Sequence, residues 1–245
     1  MILGDWLGAA PFGLAMSSGF FAFYAHTGMM AALVERGLAP AHVAGSSAGA
    51  LVGGAYAAGL DPEHLADVLL RLERADFWDP ALGLGLLEGK RFDRLLREML
   101  PVDRIEAGRL PLQISVFDIV RRRTEVLRAG DLAVAIRASC AVPGLFHPVW
   151  IGRKPYWDGG ILDRPGIAGI PDGERLLFHH IASRSPWRAA DQVPPRRRGM
   201  TTLVIADLPR SGPTKLEAGR RALAMAREAT RRALDRPIDA GVVTV

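Results

Sequence analysis

The segment Val43-Ala44-Gly45-Ser46-Ser47-Ala48-Gly49-Ala50-Leu51 sets Gly45, Ser47 and Gly49 in the pattern G-x-S-x-G. An apolar run leads in, and small and apolar residues at helical spacing (Ala50, Leu51, Val52, Ala55, Tyr56) lead out. This context suits a nucleophile elbow, a tight strand-to-helix turn that projects a serine. Its neighbours must lack bulk for the backbone to fold so sharply. The following helix aims unpaired N–H groups and a positive dipole end at charge developing beside Ser47. Gly, Ala and Ser are common in this chain, so the same pattern also describes a close-packed strand–helix junction.

Outward from the elbow, Gly13–Met16 reads as a strand, Phe20 to Arg36 as a helix stopped by Gly37, and Pro40 to Ala44 as the strand entering the turn. Ala48 to Ala58 is the next helix, stopped by Gly59. Strand, helix, strand, helix at this spacing predicts a right-handed βαβ unit in a parallel sheet. Asp61 with Pro62 opens a further helix, and Phe92 to Leu100 forms another. Phe77 to Gly89 reads as an apolar loop. Leu112 to Val120 and Thr124 to Leu127 are strands around a solvated turn at Arg121-Arg122-Arg123. Asp131 caps a helix running to about Cys140. Pro148 to Ile151 and Pro155 to Trp157 are short strands, and Asp158-Gly159-Gly160 is a tight loop at a strand end. Arg175 to Ile181 and Thr202 to Ile205 read as buried strands separated by a loop over Pro186 to Gly199. Leu216 to Leu234 is an amphipathic, Arg-rich helix. No repeat or boundary divides residues 1–245, so the expectation is a single α/β domain.

Hydrophobic residues make up 49% of the 245 and charged residues 23%, which supports a sizeable core and excludes global disorder. The net charge of +5 is nearly all arginine, since lysine occurs only at Lys90, Lys154 and Lys215. Such an excess suits anionic lipid headgroups or nucleic acid, or reflects genomic base composition. No nucleic-acid-binding fold, P-loop or dinucleotide fingerprint accompanies it, so nucleic acid is not expected as a partner. Cys140 is the only cysteine; no intrachain disulfide can form, and a reducing, cytoplasmic setting is expected. No Asp, Glu, Lys or Arg lies between Asp5 and Glu35, but Ser17-Ser18-Gly19 and His26 interrupt that stretch and no basic segment precedes it. A buried strand, turn and helix are expected there rather than a signal peptide or membrane span. His42, His64 and His147 are isolated, and no spacing suggests a metal site or another cofactor.

On residues alone Asp158 is either a general base held beside another loop or a β-turn aspartate capping its own loop. The ordered motifs add to this. The chain resembles the patatin-like phospholipase family, lipid acyl hydrolases with a Ser–Asp dyad. Leu14-Ala15-Met16-Ser17-Ser18-Gly19 and Ala25-His26-Thr27-Gly28 are similar to its first strand, oxyanion loop and first helix. Ala44 to Ala50 and Ala55-Tyr56-Ala57-Ala58-Gly59 resemble its elbow and following helix. Ile136-Arg137-Ala138-Ser139-Cys140-Ala141-Val142-Pro143-Gly144-Leu145-Phe146, with Pro148, leads into Asp158-Gly159-Gly160, the family's D-G-G motif.

The resemblance implies an α/β sandwich with a mostly parallel central sheet flanked by helices. It implies Ser47 as nucleophile, Asp158 as its base and backbone N–H groups of Gly19, Phe20 and Ala48 as oxyanion donors. Gly45, Gly49, Gly159 and Gly160 are the motif glycines, and a lipid or small ester is the implied substrate. Ser18-Gly19-Phe20-Phe21-Ala22-Phe23 departs from the family pattern: one glycine remains, aromatics replace others, and Ala22 stands where an arginine is usual. Ile161-Leu162-Asp163-Arg164-Pro165 likewise alters the usual residues after D-G-G. Two alternatives follow: a lipid- or partner-binding relative impaired by that loop, or a Ser-Asp-His triad using His179 or His180. Arg121-Arg122-Arg123, Arg196-Arg197-Arg198, the Arg-rich last helix and the Phe77 to Leu87 loop suggest reversible docking on anionic membrane, against a soluble esterase with an Arg-rich surface.

Overall fold

The computed structural model of the chain describes residues 1–182 and 194–245. The first part of the loop expected over Pro186 to Gly199 lies outside the described residues. A short helix α1 (Leu3–Gly8) precedes β1 (Gly13–Met16), α2 (Phe23–Glu35), β2 (His42–Ser46) and α3 (Ala48–Ala58). Helix α2 starts at Phe23 rather than Phe20 because Phe21 holds φ at +56°, outside helical space. Strand β2 starts at His42 rather than Pro40, pairing there with Gly13. Every residue of α3 is buried, and Gly59 ends it in the left-handed conformation at φ +107°.

Asp61 caps α4 (Pro62–Arg71), its carboxylate accepting the Glu63 N–H at 2.8 Å. The apolar loop that follows contains β3 (Gly85–Leu87) and leads to α5 (Lys90–Met99). β4 (Leu112–Asp118) and β5 (Arg123–Leu127) form an antiparallel hairpin, with Arg121 to Arg123 exposed at its turn. Asp131 caps α6 (Leu132–Ser139) through the Val134 N–H at 2.9 Å. Then come β6 (Gly144–Phe146), which pairs with β3, then β7 (Val149–Ile151) and β8 (Lys154–Asp158). The chain closes with β9 (Leu176–His180), β10 (Met200–Val204), α7 (Leu216–Leu234) and β11 (Val242–Thr244).

The large sheet runs β11-β10-β9-β1-β2-β4-β8-β7, with β5 also on β4. From β11 to β4 all neighbours are parallel; β5, β8 and β7 join antiparallel. This is the expected mostly parallel sheet with helices flanking it. One detail of register places the site. Ser115 of β4 pairs with Ser46 of β2 and, on its other edge, with Val126 of β5. The next residue, Val116, pairs with Asp158 of β8 and with Glu125 of β5. Strand β8 therefore takes over the edge of β4 where β2 ends. The end of β2, just before Ser47, meets the end of β8, at Asp158, on consecutive residues of one strand.

Helix α7 packs along α2, joined to it by ion pairs from Arg227 to Glu35, from Arg231 to Glu35 at 2.8 Å and, just past the helix ends, from Arg36 to Asp235 at 2.8 Å; Arg227 also pairs with Glu63 of α4. The Arg-rich face expected to be free for an anionic surface is thus largely engaged within the molecule. No helix among the described residues is long and apolar enough to cross a membrane. The α2–α7 contact is close at Gly28, where an added methyl would fall on the Leu223 carbonyl and 3.0 Å from the Arg227 nitrogen. Gly28→Ala should lower stability by about 1–3 kcal/mol through overpacking of two backbones, read as a lower urea midpoint. Gly8→Ala, whose added methyl meets nothing within 4 Å, is the control and should leave the midpoint unchanged or slightly raised.

Candidate active site

Ser47 sits between β2 and α3 at φ +53°, ψ −117°, a strained conformation for a residue with a side chain. The glycines around it have steric reasons. A methyl at Gly45 would lie 2.7 Å from the Ala50 nitrogen in the first turn of α3, and one at Gly49 would strike the Met16 carbonyl of β1. The strained backbone is tied from behind. Ser139, at the end of α6, accepts the Ser47 N–H at 2.8 Å and donates its own hydroxyl to the Ser115 carbonyl at 2.7 Å. Ser139 is fully buried, so each of these bonds replaces one that water cannot supply.

The Ser47 hydroxyl donates to Asp158 Oδ2 at 2.7 Å. The other oxygen, Oδ1, accepts the Gly160 N–H at 2.7 Å, and the Asp158 N–H reaches the Ala141 carbonyl at 2.9 Å. Asp158 thus both caps its own loop and faces the serine; the two sequence readings of this residue coexist. Gly159 and Gly160 let that loop lie against its neighbours, since methyls there would strike the Ser115 carbonyl and the Ser18 side chain. The loop is braced by Asp163, whose carboxylate accepts Ser115 Oγ at 2.6 Å and the N–H groups of Gly166, Ile167 and Ala168.

The loop after β1 faces the elbow from the other side. The Ser18 N–H donates to the Arg164 carbonyl at 2.7 Å, and the Gly19 carbonyl accepts the Ala22 N–H at 3.0 Å. Among the described residues the N–H groups of Gly19, Phe20 and Ala48 have no protein acceptor, and all three residues line one cavity with Ser47 and Asp158. Behind the loop, His26 Nε2 lies 2.8 Å from the Ser17 carbonyl, and His26 Nδ1 lies 2.8 Å from His179 Nδ1. Neither ring bonds to Ser47. Burial pushes His26 down to about 4, against the opposing hydrogen bond to Ser17, and pushes His179 well below the ordinary histidine value. Both rings are therefore neutral near pH 7.

The cavity measures about 360 Å³, within the range of small-ligand sites. Its walls are largely apolar: Leu51 of α3, Val68 and Leu69 of α4, Phe77, and Phe92, Leu95 and Met99 of α5, with Phe21 of the loop after β1 and Phe23 of α2. Cys140 also lines it. Burial, together with nearby Asp158, pushes its thiol well above the ordinary range, so it is a neutral thiol rather than a nucleophile. Among the described residues no group of three His, Cys, Asp or Glu side chains is arranged to hold a metal ion.

The family model for patatin-like phospholipase matches residues 14–169. The chain belongs to that family. It is 36% identical over 160 residues to an uncharacterized NTE family protein of Mycobacterium tuberculosis, covering 64% of this chain and 44% of that protein. It is 29% identical over 174 residues to lysophospholipase nte1 of Emericella nidulans, covering 68% of this chain and 11% of that one. This chain therefore spans less than half the length of these relatives. Among solved structures, VipD from Legionella pneumophila superposes with a TM-score of 0.61 at 18% identity, over 92% of this chain and 67% of that chain. The type III effector protein ExoU gives 0.51 at 14% identity, over 92% of this chain and 53% of its own. At these identities the likeness is one of fold, in line with the α/β architecture expected from the sequence.

All the residues singled out from sequence as nucleophile, base and oxyanion donors meet around this one cavity. Sequence reading did not single out Ser139, Ser115 or Asp163. Ser139 falls inside a segment that carried the family likeness, which was the available signal; Asp163 lies in the stretch after D-G-G that departs from the family pattern, and Ser115 is an unremarked strand residue. His179, weighed as a triad member, instead partners His26. The two neutral rings make stability acid-sensitive. For His26 the folded value, about 4, lies below the ordinary 6.5, so the unfolded chain binds more protons between those values and stability falls as pH drops through them. From pH 7 to pH 5 His26 alone should remove about 2 kcal/mol of unfolding free energy. Urea titrations at the two pH values measure this, and His26→Gln should shrink the difference by that amount.

Proposed function

We propose that this chain, acting as one domain over residues 1–245, is a serine acyl hydrolase. It cleaves carboxylic esters of lipids through a Ser47–Asp158 dyad and an acyl-enzyme. The observation that carries the reading is the direct 2.7 Å hydrogen bond from Ser47 Oγ to Asp158 Oδ2 at the wall of an apolar cavity. Support for a lipid substrate comes from the family and from a relative named as a lysophospholipase. The apolar walls suit an acyl chain.

Ser47 Oγ attacks the ester carbonyl carbon while its proton passes to Asp158 Oδ2. A carboxylate serves as base because the serine proton is lost only as the tetrahedral intermediate forms. The N–H groups of Gly19, Phe20 and Ala48 hold the oxyanion, and preorganised donors of this kind contribute about 3 kcal/mol each. Collapse of the intermediate breaks the ester C–O bond, and Asp158 returns the proton to the departing alcohol. Water then gives a proton to Asp158, its hydroxide equivalent adds to the acyl carbon, and Ser47 leaves with that proton. Two features favour this over the alternatives. No histidine stands between Ser47 and Asp158, which favours a dyad over a triad. The altered oxyanion loop keeps backbone N–H groups in the cavity, and catalysis needs those rather than the missing arginine.

Ser47→Ala is expected to abolish ester turnover and fluorophosphonate labelling with the fold retained. Asp158→Asn should lower kcat by two or more orders of magnitude. Full turnover by purified Ser47→Ala would overturn the assignment.

The substrate surface is proposed to be an anionic bilayer. β2 and β4 are parallel, so the turn after β4 leaves the sheet at the same end as Ser47. That turn presents exposed Val120 and Arg121 to Arg123, and exposed Trp150 lies on β7 near the same end. Leu82, Leu84 and Leu86 are exposed in the apolar loop, beside β6 residues that line the cavity. By contrast, Arg197 binds the carbonyls of Ile167 and Ile170, so the Arg196-Arg197-Arg198 run is partly engaged. Each basic residue near an anionic surface contributes about 1 kcal/mol, screened by salt. The protein should pellet with anionic vesicles at low salt and less at high salt. Replacing Arg121, Arg122 and Arg123 by Gln should remove most of the pelleting. Equal, negligible pelleting with anionic and zwitterionic vesicles at low salt would refute docking and leave the hydrolase assignment intact.

A further inference from the structure

We infer that His26, held in one tautomer by His179, is a positioning residue for the oxyanion loop. The inference rests on the acyl-hydrolase reading, because it concerns the amides which that reading assigns to the oxyanion. The peptide joining Ser17 to Ser18 is pinned at both ends. Its carbonyl oxygen lies 2.8 Å from His26 Nε2, and its N–H donates to the Arg164 carbonyl at 2.7 Å. Ser17 is further tied to β9, its own N–H reaching the His179 carbonyl at 3.2 Å and its hydroxyl accepting the Ile181 N–H at 2.9 Å. The amides of Gly19 and Phe20 follow immediately, so a rotation of the pinned peptide would re-aim them.

The proton positions follow by elimination. A carbonyl oxygen only accepts, so His26 Nε2 must carry a hydrogen. In a neutral ring Nδ1 is then a bare lone pair, and His179 Nδ1, 2.8 Å away, must donate to it. His26 stands in the first turn of α2, its N–H bonded to the Ala22 carbonyl at 3.0 Å. The oxyanion loop is thereby referenced to a rigid helix on one side and to the central strand β9 on the other. This arrangement asks for a group that donates from one end and accepts at the other without carrying charge into a dry interior. Neutral imidazole does both. A misplacement of about 1 Å at reacting groups costs on the order of 10²-fold in rate, so a bond that fixes these amides acts on kcat.

The test is steady-state hydrolysis of p-nitrophenyl butyrate and the rate of fluorophosphonate labelling, with circular-dichroism melts to establish folding. His26→Leu should lower kcat roughly 10²-fold with KM within a factor of about three, since the substrate pocket is untouched. His26→Gln places an amide donor near the former Nε2 position and should recover most of the loss. A folded His26→Leu protein with wild-type kcat, or with raised KM and unchanged kcat, would overturn the inference. Nitrogen NMR of the wild-type histidine side chains needs no variant, and should find hydrogen on Nε2 of His26 and on Nδ1 of His179 at pH 7. The opposite tautomer at His26 overturns the lock even if His26→Leu does not fold. Wild-type protein that neither hydrolyses the ester nor labels would count instead against the acyl-hydrolase reading, and the tautomers would still report on the His26–Ser17 bond.

Discussion

Strand β4 carries on one edge the ends of two strands that come from opposite parts of the chain, and the site depends on that shared edge. Ser46 pairs with Ser115 and Asp158 with Val116. Adjacent residues of one strand therefore set the distance between the elbow and the aspartate, although 111 positions separate Ser47 from Asp158 in sequence. Ser115 is tied beyond its ladder: its carbonyl accepts Ser139, which holds the Ser47 N–H, and its hydroxyl donates to Asp163, which braces the loop after Asp158. Ser47 and Asp158 are thus both referenced to one buried backbone position. A buried sheet register resists slippage, because a one-residue shift would exchange the side chains packed on each face. That rigidity passes to the hydrogen bond between Ser47 and Asp158.

The strain at Ser47 belongs to the same design. A non-glycine residue at φ +53°, ψ −117° costs of the order of 1–3 kcal/mol and persists only where its surroundings hold it. Here the holding is by a wholly buried helix on one side and by the Ser139 hydroxyl on the other. The result aims Oγ at Asp158 and leaves the start of α3 directed at the cavity. His26 and His179 are neutral and the Cys140 thiol keeps its proton, so these three add no charge beside Ser47 and Asp158, whereas Arg164 brings a permanent cation to the cavity lining. The backbone dipoles of the loop after β1 and of the start of α3 are held in place by the fold.

Elements with strong local signals were legible in the sequence. Leu216–Leu234 is the last helix as its period predicts, and the caps at Asp61 and Asp131 and the stop at Gly59 all stand where side-chain chemistry places them. The ordered motifs led to the residues around the cavity. What was not legible is what depends on distant partners. β3, β6 and β11 have three residues each, too few to show a period, and α1 was likewise unread. The arginines of α7 read as a basic face, but composition does not reveal that Glu35 and Glu63 lie opposite them. Ser139 carries no local mark, since its importance is the geometry of a turn 92 positions away.

The loop after β1 shows how a local rule can be broken without losing the structure it protects. The resemblance leads one to expect glycines there, and Phe21 does occupy a backbone region that glycine favours, at φ +56°. For a residue with a side chain that conformation costs about 1–2 kcal/mol. Phe21 is offset by its ring contacts, with centroids 5.0 Å from Phe20, 5.2 Å from Phe23 and 5.7 Å from Phe77. Aromatic pairs at such distances contribute about 0.5–1.5 kcal/mol each beyond the area they bury. Three contacts of that size are comparable to or larger than the penalty, so the loop keeps a glycine-like path without the glycine. The exchange also changes the cavity, because Phe20, Phe21, Phe23 and Phe77 all line it. Side chains that stabilise the loop thereby become wall, and the shape of the cavity is set by the same residues that hold the backbone of the loop in place.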